Sequence, residues 1–503
     1  LPDDKTLDSV ESPRNNNWFL IIIAAKRGIT FLEQQPEVNG GKIGAFGHSM
    51  GGKLTVMLAG ADKRIKAGAP SCGGCGSAPD SVRQRPGAGV RRKQSALYHR
   101  TIDDAQYIKE IKVPMLYVGP HNDFNGILDN VYANWKSIPR DRKSYSVTRH
   151  MNHRAIPEHL ITNILWFDDH LKDDFEFPKT PQFAMRLKSE DGVPQVAFMP
   201  DRPEEVAKVD IYYSVDSHIL TRFWRTAETA RKGDYWMAKT PVVSADQPLF
   251  IMANVYYPLK HKVVGYRWSK TPETFGISSE MASVSPAELK QAGVRKHPER
   301  SRMVQEKFDD YQDWYQLSWA NPNWWCAYTR KIKDPKYAGP DRAKLSLDVK
   351  VDRDATLFVD LQDNNWGAFP NQPRGQYYAT LNLKGSEDWQ TVAVSVGDFK
   401  PADDSTKHPL RNWRRVTELG LRGLMVVTQD GKRIELPRKG DGPRRGWPEP
   451  RAFRNLRWVG GTYPAGEKPL DPNAKMSDEA RGKQFQQGID DSLELEQRDK
   501  NKR

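Results

Sequence analysis

The run Gly47-His48-Ser49-Met50-Gly51 sets a serine between two glycines at G-x-S-x-G spacing, and Gly52 extends it. A serine hydroxyl is too weakly acidic to attack a carbonyl unaided, so a histidine must take its proton and a carboxylate must orient that histidine. The spacing suits a strained strand-to-helix turn that lifts the hydroxyl into the open, where a side chain two residues to either side would collide with neighbouring backbone. On such a turn the partners follow in the order serine, acid, histidine. Asp123, just past the apolar run Val113 to Val118, is the expected acid. Asp129 is the alternative, with a helix-capping reading of its own. Of His150, His153 and His159, the expected base is His153, which stands mid-loop between a strand and a closing helix. His48 and His121 are expected to line the site, and the backbone N–H of Met50 to face a developing oxyanion.

These residues need a strand before the serine, a helix after it and further strands to carry the partners. Residues 18–34 place Phe19, Leu20, Ile23, Ala24, Arg27, Phe31 and Leu32 at helical spacing until Pro36 stops the pattern. Lys42 to Gly47 is a short apolar strand, and Lys53 to Gly60 a second helical stretch. Strands are expected at Arg64 to Pro70, Val113 to Val118 and Ser144 to Thr148, with helices at Val131 to Ile138 and Pro157 to Leu171. This alternation predicts the α/β class, with a parallel sheet covered by helices over residues 1–175.

Past Phe175 to Pro181 the apolar period changes to two, as in Val209 to Ser214 and Leu249 to Tyr257. Residues 176–270 are expected to form a β-sandwich and 271–321 a mixed connecting segment. Strands at Leu345 to Val351, Thr356 to Leu361, Tyr377 to Leu383 and Thr391 to Val396 predict a jelly-roll sandwich over 322–462. The polar, charged residues 463–503 are expected to be a disordered tail.

At Phe31 to Val38, Gly47 to Gly52, Asn122 to Asn125, Asn152 to Arg154 and Trp166 to Asp168, the chain resembles the dienelactone-hydrolase and acetylxylan-esterase-like branch of the α/β-hydrolases. It is close also to the prolyl oligopeptidase catalytic domain, and the similarity spans about residues 15–175. The resemblance implies Ser49 as nucleophile, Asp123 as orienting acid and His153 as general base, in an ester hydrolase that uses no cofactor and no metal. At Asp388 to Thr391, Asp398-Phe399 and Asn412 to Arg415 the third unit looks, more loosely, like a carbohydrate-binding jelly roll. There Trp366, Tyr377, Tyr378 and Trp389 are candidate stacking platforms for sugar rings; each taken singly is better read as a core or cross-strand aromatic, as are Trp314, Trp319, Trp324 and Trp325. The expected function is hydrolysis of carboxylic esters through an acyl-enzyme, on a small-molecule or polysaccharide ester. The alternatives are a serine peptidase of the prolyl oligopeptidase type and a catalytically impaired carbohydrate-binding protein.

Only forty-eight residues precede Ser49, fewer than a complete sheet of this kind places there, so the loop with a second oxyanion donor is expected to be missing through truncation. Loss of one such donor typically costs ~10²–10³ in rate. The first residue is Leu1, so the N-terminus reads as processed or incompletely assigned and the compartment stays open. At 503 residues the chain exceeds one core, and 15 tryptophans argue against wholesale disorder. The longest early apolar run, Trp18 to Ala25, is too short to span a bilayer. The net charge of +13 concentrates in Arg83 to Lys93, Arg438 to Arg451 and the tail, among Pro and Gly, which reads as solvated loops and not as a nucleic-acid surface. Cys72 and Cys75 form a C-x-x-C in a glycine-rich loop with no helix behind it, a structural or incidental pair.

Overall fold

The computed structural model describes residues 12–88, 96–263, 272–297, 304–308, 312–316, 325–437 and 452–462. They fall into two compact units, residues 1–220 with 224–297 and residues 221–223 with 298–503.

In the first unit, helix α1 (Asn17–Glu33) starts where the Asn16 side chain accepts the Trp18 N–H at 2.9 Å, which satisfies one of the unpaired donors of the first turn. It buries Ile22 and Ile29. Strand β1 (Ile43–His48) runs straight into helix α2 (Met50–Ala61). Strands β2 (Ile65–Ser71), β3 (Met115–Pro120) and β4 (Lys143–Thr148) follow, and β1 to β4 pair in order, all parallel. The carboxyl ends of four adjacent strands therefore share one edge, the edge on which open parallel sheets present their ligands. The expected closing helix runs as Pro157–Leu160 and Thr162–Phe167, followed by a π-turn over Asp168–Lys172 that Asp173 ends at φ 60°. No described helix is long and apolar enough to cross a membrane.

The expected boundary at 176 is not a boundary in the sheet. Ser278 pairs with Tyr145 of β4, and strands Thr274–Ser278, Leu249–Pro258 and Lys208–Ser214 continue antiparallel from there. A four-stranded sheet (Gln182–Arg186, Gln195–Met199, Tyr235–Lys239, Thr229–Lys232) shares their core: Phe198 and Trp236 belong to the same buried cluster as Ile211, Ile251, Leu116 and Trp166. The outer edge of β4 needs hydrogen-bond partners and the strand 274–278 supplies them. Of the expected connecting segment, the described residues 272–297 thus belong to the first unit, and 304–308 and 312–316 to the second. A helix-covered parallel sheet, continued by antiparallel strands and followed by β-sandwich-like sheets, is the architecture.

The second unit holds two antiparallel sheets that share one core, with Leu345, Leu347 and Trp458 from one and Leu357, Leu361, Leu419 and Leu421 from the other. Trp314, Trp325 and Trp413 complete it, so the first two of these are core residues, as their singly preferred reading had it. Trp319, Trp324, residues 89–95, the basic run 438–451 and the expected tail from 463 lie outside the described residues.

Candidate active site

Ser49 sits where β1 turns into α2, at φ 59° and ψ −115°, a conformation that a non-glycine residue holds only when its surroundings dictate it. Two backbone ties do so: the Ser49 N–H donates to the Ser71 carbonyl at 2.8 Å, and the Ser49 carbonyl accepts from Gly52 and Lys53 at 3.0 and 3.2 Å. The glycines have unequal reasons. A Cβ on Gly47 would lie 2.6 Å from the Gly51 backbone, one on Gly52 2.6 Å from the Ser71 carbonyl oxygen, and one on Gly73 2.2 Å from the Ser49 oxygen. A Cβ on Gly51 would meet nothing within 4 Å, which corrects the expectation of a collision on both sides of the serine. The Met50 N–H, at the first residue of α2, is one of the unpaired donors at the positive end of that helix.

Asp123 and His153 come from the loops after β3 and β4. The loops are tied together by the Asn152 N–H, which donates to Asn122 Oδ1 at 2.8 Å, with His150 and Asn152 both turned to φ 54°. His153 Nδ1 lies 2.9 and 3.1 Å from the two oxygens of Asp123, and both side chains are buried. The His153 ring packs 4.7 Å from Phe124 and 4.9 Å from His48, centroid to centroid. Burial pushes the Asp123 carboxyl up, but His153, the Asn125 N–H at 2.7 Å and the Cys72 thiol outweigh it and hold the group below the ordinary carboxylate value. Asp123 is therefore an anion beside an imidazole, fixed so that Nδ1 carries the proton and Nε2 is the basic nitrogen. A hydrogen bond from Ser49 Oγ to His153 is not among those the described residues make; such bonds often tighten only with substrate bound.

The rejected candidates have other work. Asp129 forms an ion pair with Arg85 in the first turn of helix Leu128–Asn134. His150 Nε2 accepts the Trp224 N–H at 2.9 Å. His159 is fully buried; its Nδ1 faces Ser146 Oγ at 2.8 Å, and that hydroxyl donates to the Gly276 carbonyl, so the ring is the donor. Desolvation lowers the His159 pKa to about 3. Below the unfolded value of about 6.5 the unfolded chain takes up a proton that the folded chain refuses, so stability falls with pH through the window from about 6.5 to about 3. Urea unfolding measured from pH 6 to pH 4 should show this group contributing about 1.4 kcal/mol per pH unit, a slope that His159→Gln removes.

Of the expected lining residues, His48 stands exposed beside His153 with its Nδ1 3.1 Å from Ser71 Oγ. His121 is instead buried, its ring 4.7 Å from that of Trp224 and 5.5 Å from that of Tyr212. In the second unit Trp366 is also buried, in a turn where it holds φ 57°, and Tyr377 and Tyr378 are buried strand residues. Trp389 is 37% exposed, with the Arg454 guanidinium 4.1 Å over its ring. Cys72 is the residue whose place the sequence reading missed: it follows β2 at φ 51°, is fully buried, and feels the Asp123 charge. Desolvation, then the Asp123 charge, pushes its thiol well above the ordinary value. Its position one residue past a central parallel strand was the available signal.

Among known proteins, a family described as BAAT / Acyl-CoA thioester hydrolase C terminal matches residues 26–88, the stretch from α1 through the serine turn. No curated protein matches. Among solved structures, the chain is similar to an acetyl xylan esterase from Paenibacillus sp. R4 (17% identity, 32% of this chain and 55% of that one, TM-score 0.26). It is similar also to acetyl xylan esterase 1 from Thermoanaerobacterium sp. JW/SL YS485 (14%, 34% and 58%, 0.27) and to the glucuronoyl esterase catalytic domain from Hypocrea jecorina (18%, 31% and 52%, 0.25). The chain spans about half the length of these proteins. The family match and the strand–serine–helix turn fall on the same stretch of the chain.

Proposed function

We propose that the chain hydrolyses carboxylic esters through an acyl-enzyme on Ser49, with His153 as general base and Asp123 as its orienting acid. The observation that carries the reading is the buried Asp123–His153 pair, delivered by two strand ends to the edge where Ser49 turns outward. Ser49 Oγ attacks the ester carbonyl carbon while His153 Nε2 takes its proton, and the oxyanion that forms faces the Met50 N–H. His153 then returns the proton to the departing alkoxide, leaving the acyl group on Ser49. Water, deprotonated by the same nitrogen, releases the acid and restores the hydroxyl.

For the substrate we take an acylated carbohydrate. The resemblance of residues 15–175 to acetylxylan-esterase-like enzymes supports this. Incubating the purified chain with p-nitrophenyl acetate, acetylated xylan and a proline-containing peptide separates the readings. Acetate from both esters with the peptide intact is expected. Peptide cleavage without acetate release would replace the esterase by a peptidase.

A further inference from the structure

Cys72 takes no part in the ester mechanism, yet it belongs to a cluster: one nitrogen of His48, one of His153 and the Cys72 sulfur all lie within 4.8 Å of one another. We propose that these three side chains form a binding site for a borderline-soft divalent cation of the Zn²⁺ type, and that its occupancy silences the hydrolase centre.

The donor set is the first argument, since two imidazoles and a thiolate suit such an ion and leave a fourth, tetrahedral position for water. Around an ion with bonds of about 2.0–2.3 Å, donors sit roughly 3.3–3.8 Å apart, so the cluster closes by about an ångström of side-chain rotation. The second argument is the support behind the donors. Asp123 holds His153 by Nδ1, and Ser71 Oγ lies 3.1 Å from His48 Nδ1, so each ring is oriented by an oxygen at Nδ1, and the proposed site uses Nε2 of both. An oxygen partner on the far nitrogen is the arrangement that fixes ligating histidines. The third is access and charge. His48 is exposed and Cys72 buried, so the cluster has one donor at the surface and one inside. Binding releases the Cys72 proton to solvent, and the dication then faces two negative groups, the thiolate and the Asp123 carboxylate. The silencing follows from one atom with two uses: His153 Nε2 cannot accept the Ser49 proton while it holds a cation. Binding stands on the cluster alone, whereas the silencing rests on the assignment of His153 as base.

The test is titration of the full chain with Co²⁺ in a non-chelating reductant, followed by the thiolate-to-cobalt charge-transfer absorption and by calorimetry. One equivalent with a thiolate band is expected. The band should vanish in Cys72→Ser, affinity should fall at least tenfold in His48→Gln, and Ser49→Ala should bind unchanged. Thermal melting checks that each variant is folded, and the exposed His48 keeps the test valid if Cys72→Ser is not. Absence of a thiolate band, or binding indifferent to both substitutions, overturns the site. Cobalt binding in a chain whose ester hydrolysis Zn²⁺ leaves untouched overturns the silencing and not the site. A chain that binds cobalt and hydrolyses no ester refutes the hydrolase reading instead.

Discussion

Replacing Ser49 with alanine is expected to lower kcat/KM for p-nitrophenyl acetate by about 10⁴-fold or more, with the melting temperature close to that of the parent chain. The rate effect is large because the proposed mechanism puts the acyl group on the Ser49 oxygen, and the imidazole and thiol beside His153 are poor substitutes for it. His48 is an imidazole whose own pKa is lowered, by desolvation first and then by His153, and the Cys72 thiol is buried and held protonated. The stability effect is small because what fixes the turn is backbone. The Ser49 N–H and carbonyl make the bonds to Ser71, Gly52 and Lys53, and no hydrogen bond of the hydroxyl caps α2. Alanine retains the backbone bonds and the strained φ. A parent activity that survives Ser49→Ala would move the chemistry to another residue.

Asp123→Asn is the second large effect, a loss of about 10⁴ in kcat/KM from a change of one atom. Asp123 accepts the His153 Nδ1–H through oxygens at 2.9 and 3.1 Å. An asparagine there can turn its NH₂ toward Nδ1, which then becomes the acceptor and transfers the ring proton to Nε2, where it blocks uptake of the serine proton. The substitution also gives up an anion held below the usual carboxylate range, whose stabilisation is present above pH ~4 and is lost as pH falls through its lowered folded value. The variant should therefore be less stable than the parent at pH 7 by an amount that shrinks toward acid. Kinetics alongside urea unfolding at pH 7 and pH 3 separate the two losses. Equal activity in Asp123→Asn would remove the acid from its assigned role.

What the chain discloses without coordinates is what is local. The strand-to-helix turn at Ser49 was legible because glycine spacing, an apolar strand and a helix stand within about twenty residues, and the meeting of Asp123 and His153 because each follows a strand whose end must reach one sheet edge. The alternation of strands and helices gave β1 to β4 for the same reason. Pairing between distant strands is not local. The period of two marks Thr274–Ser278 and Lys208–Ser214 as strands, but nothing in it says that they extend the sheet beyond β4 instead of forming a separate sandwich. Burial of single aromatics is equally non-local: Trp366 and His121 have the same types as a sugar platform and a lining residue, and only packing shows them inside. The unequal demands on Gly51 and Gly52 depend on where β2 and its loop pass, which no pentapeptide contains. Cys72 shows in the chain only as a residue just past a strand; that it lies against Asp123, 51 positions on, is visible only in the fold.

The measurement that tests the central claim most directly is reaction of the purified chain with a fluorophosphonate, followed by digestion and mass spectrometry. The account predicts one phosphonylated residue, Ser49, formed only when His153 can accept its proton and therefore absent from His153→Ala. A chain that takes up no label, or takes it at another residue, or labels Ser49 equally well without His153, would contradict it.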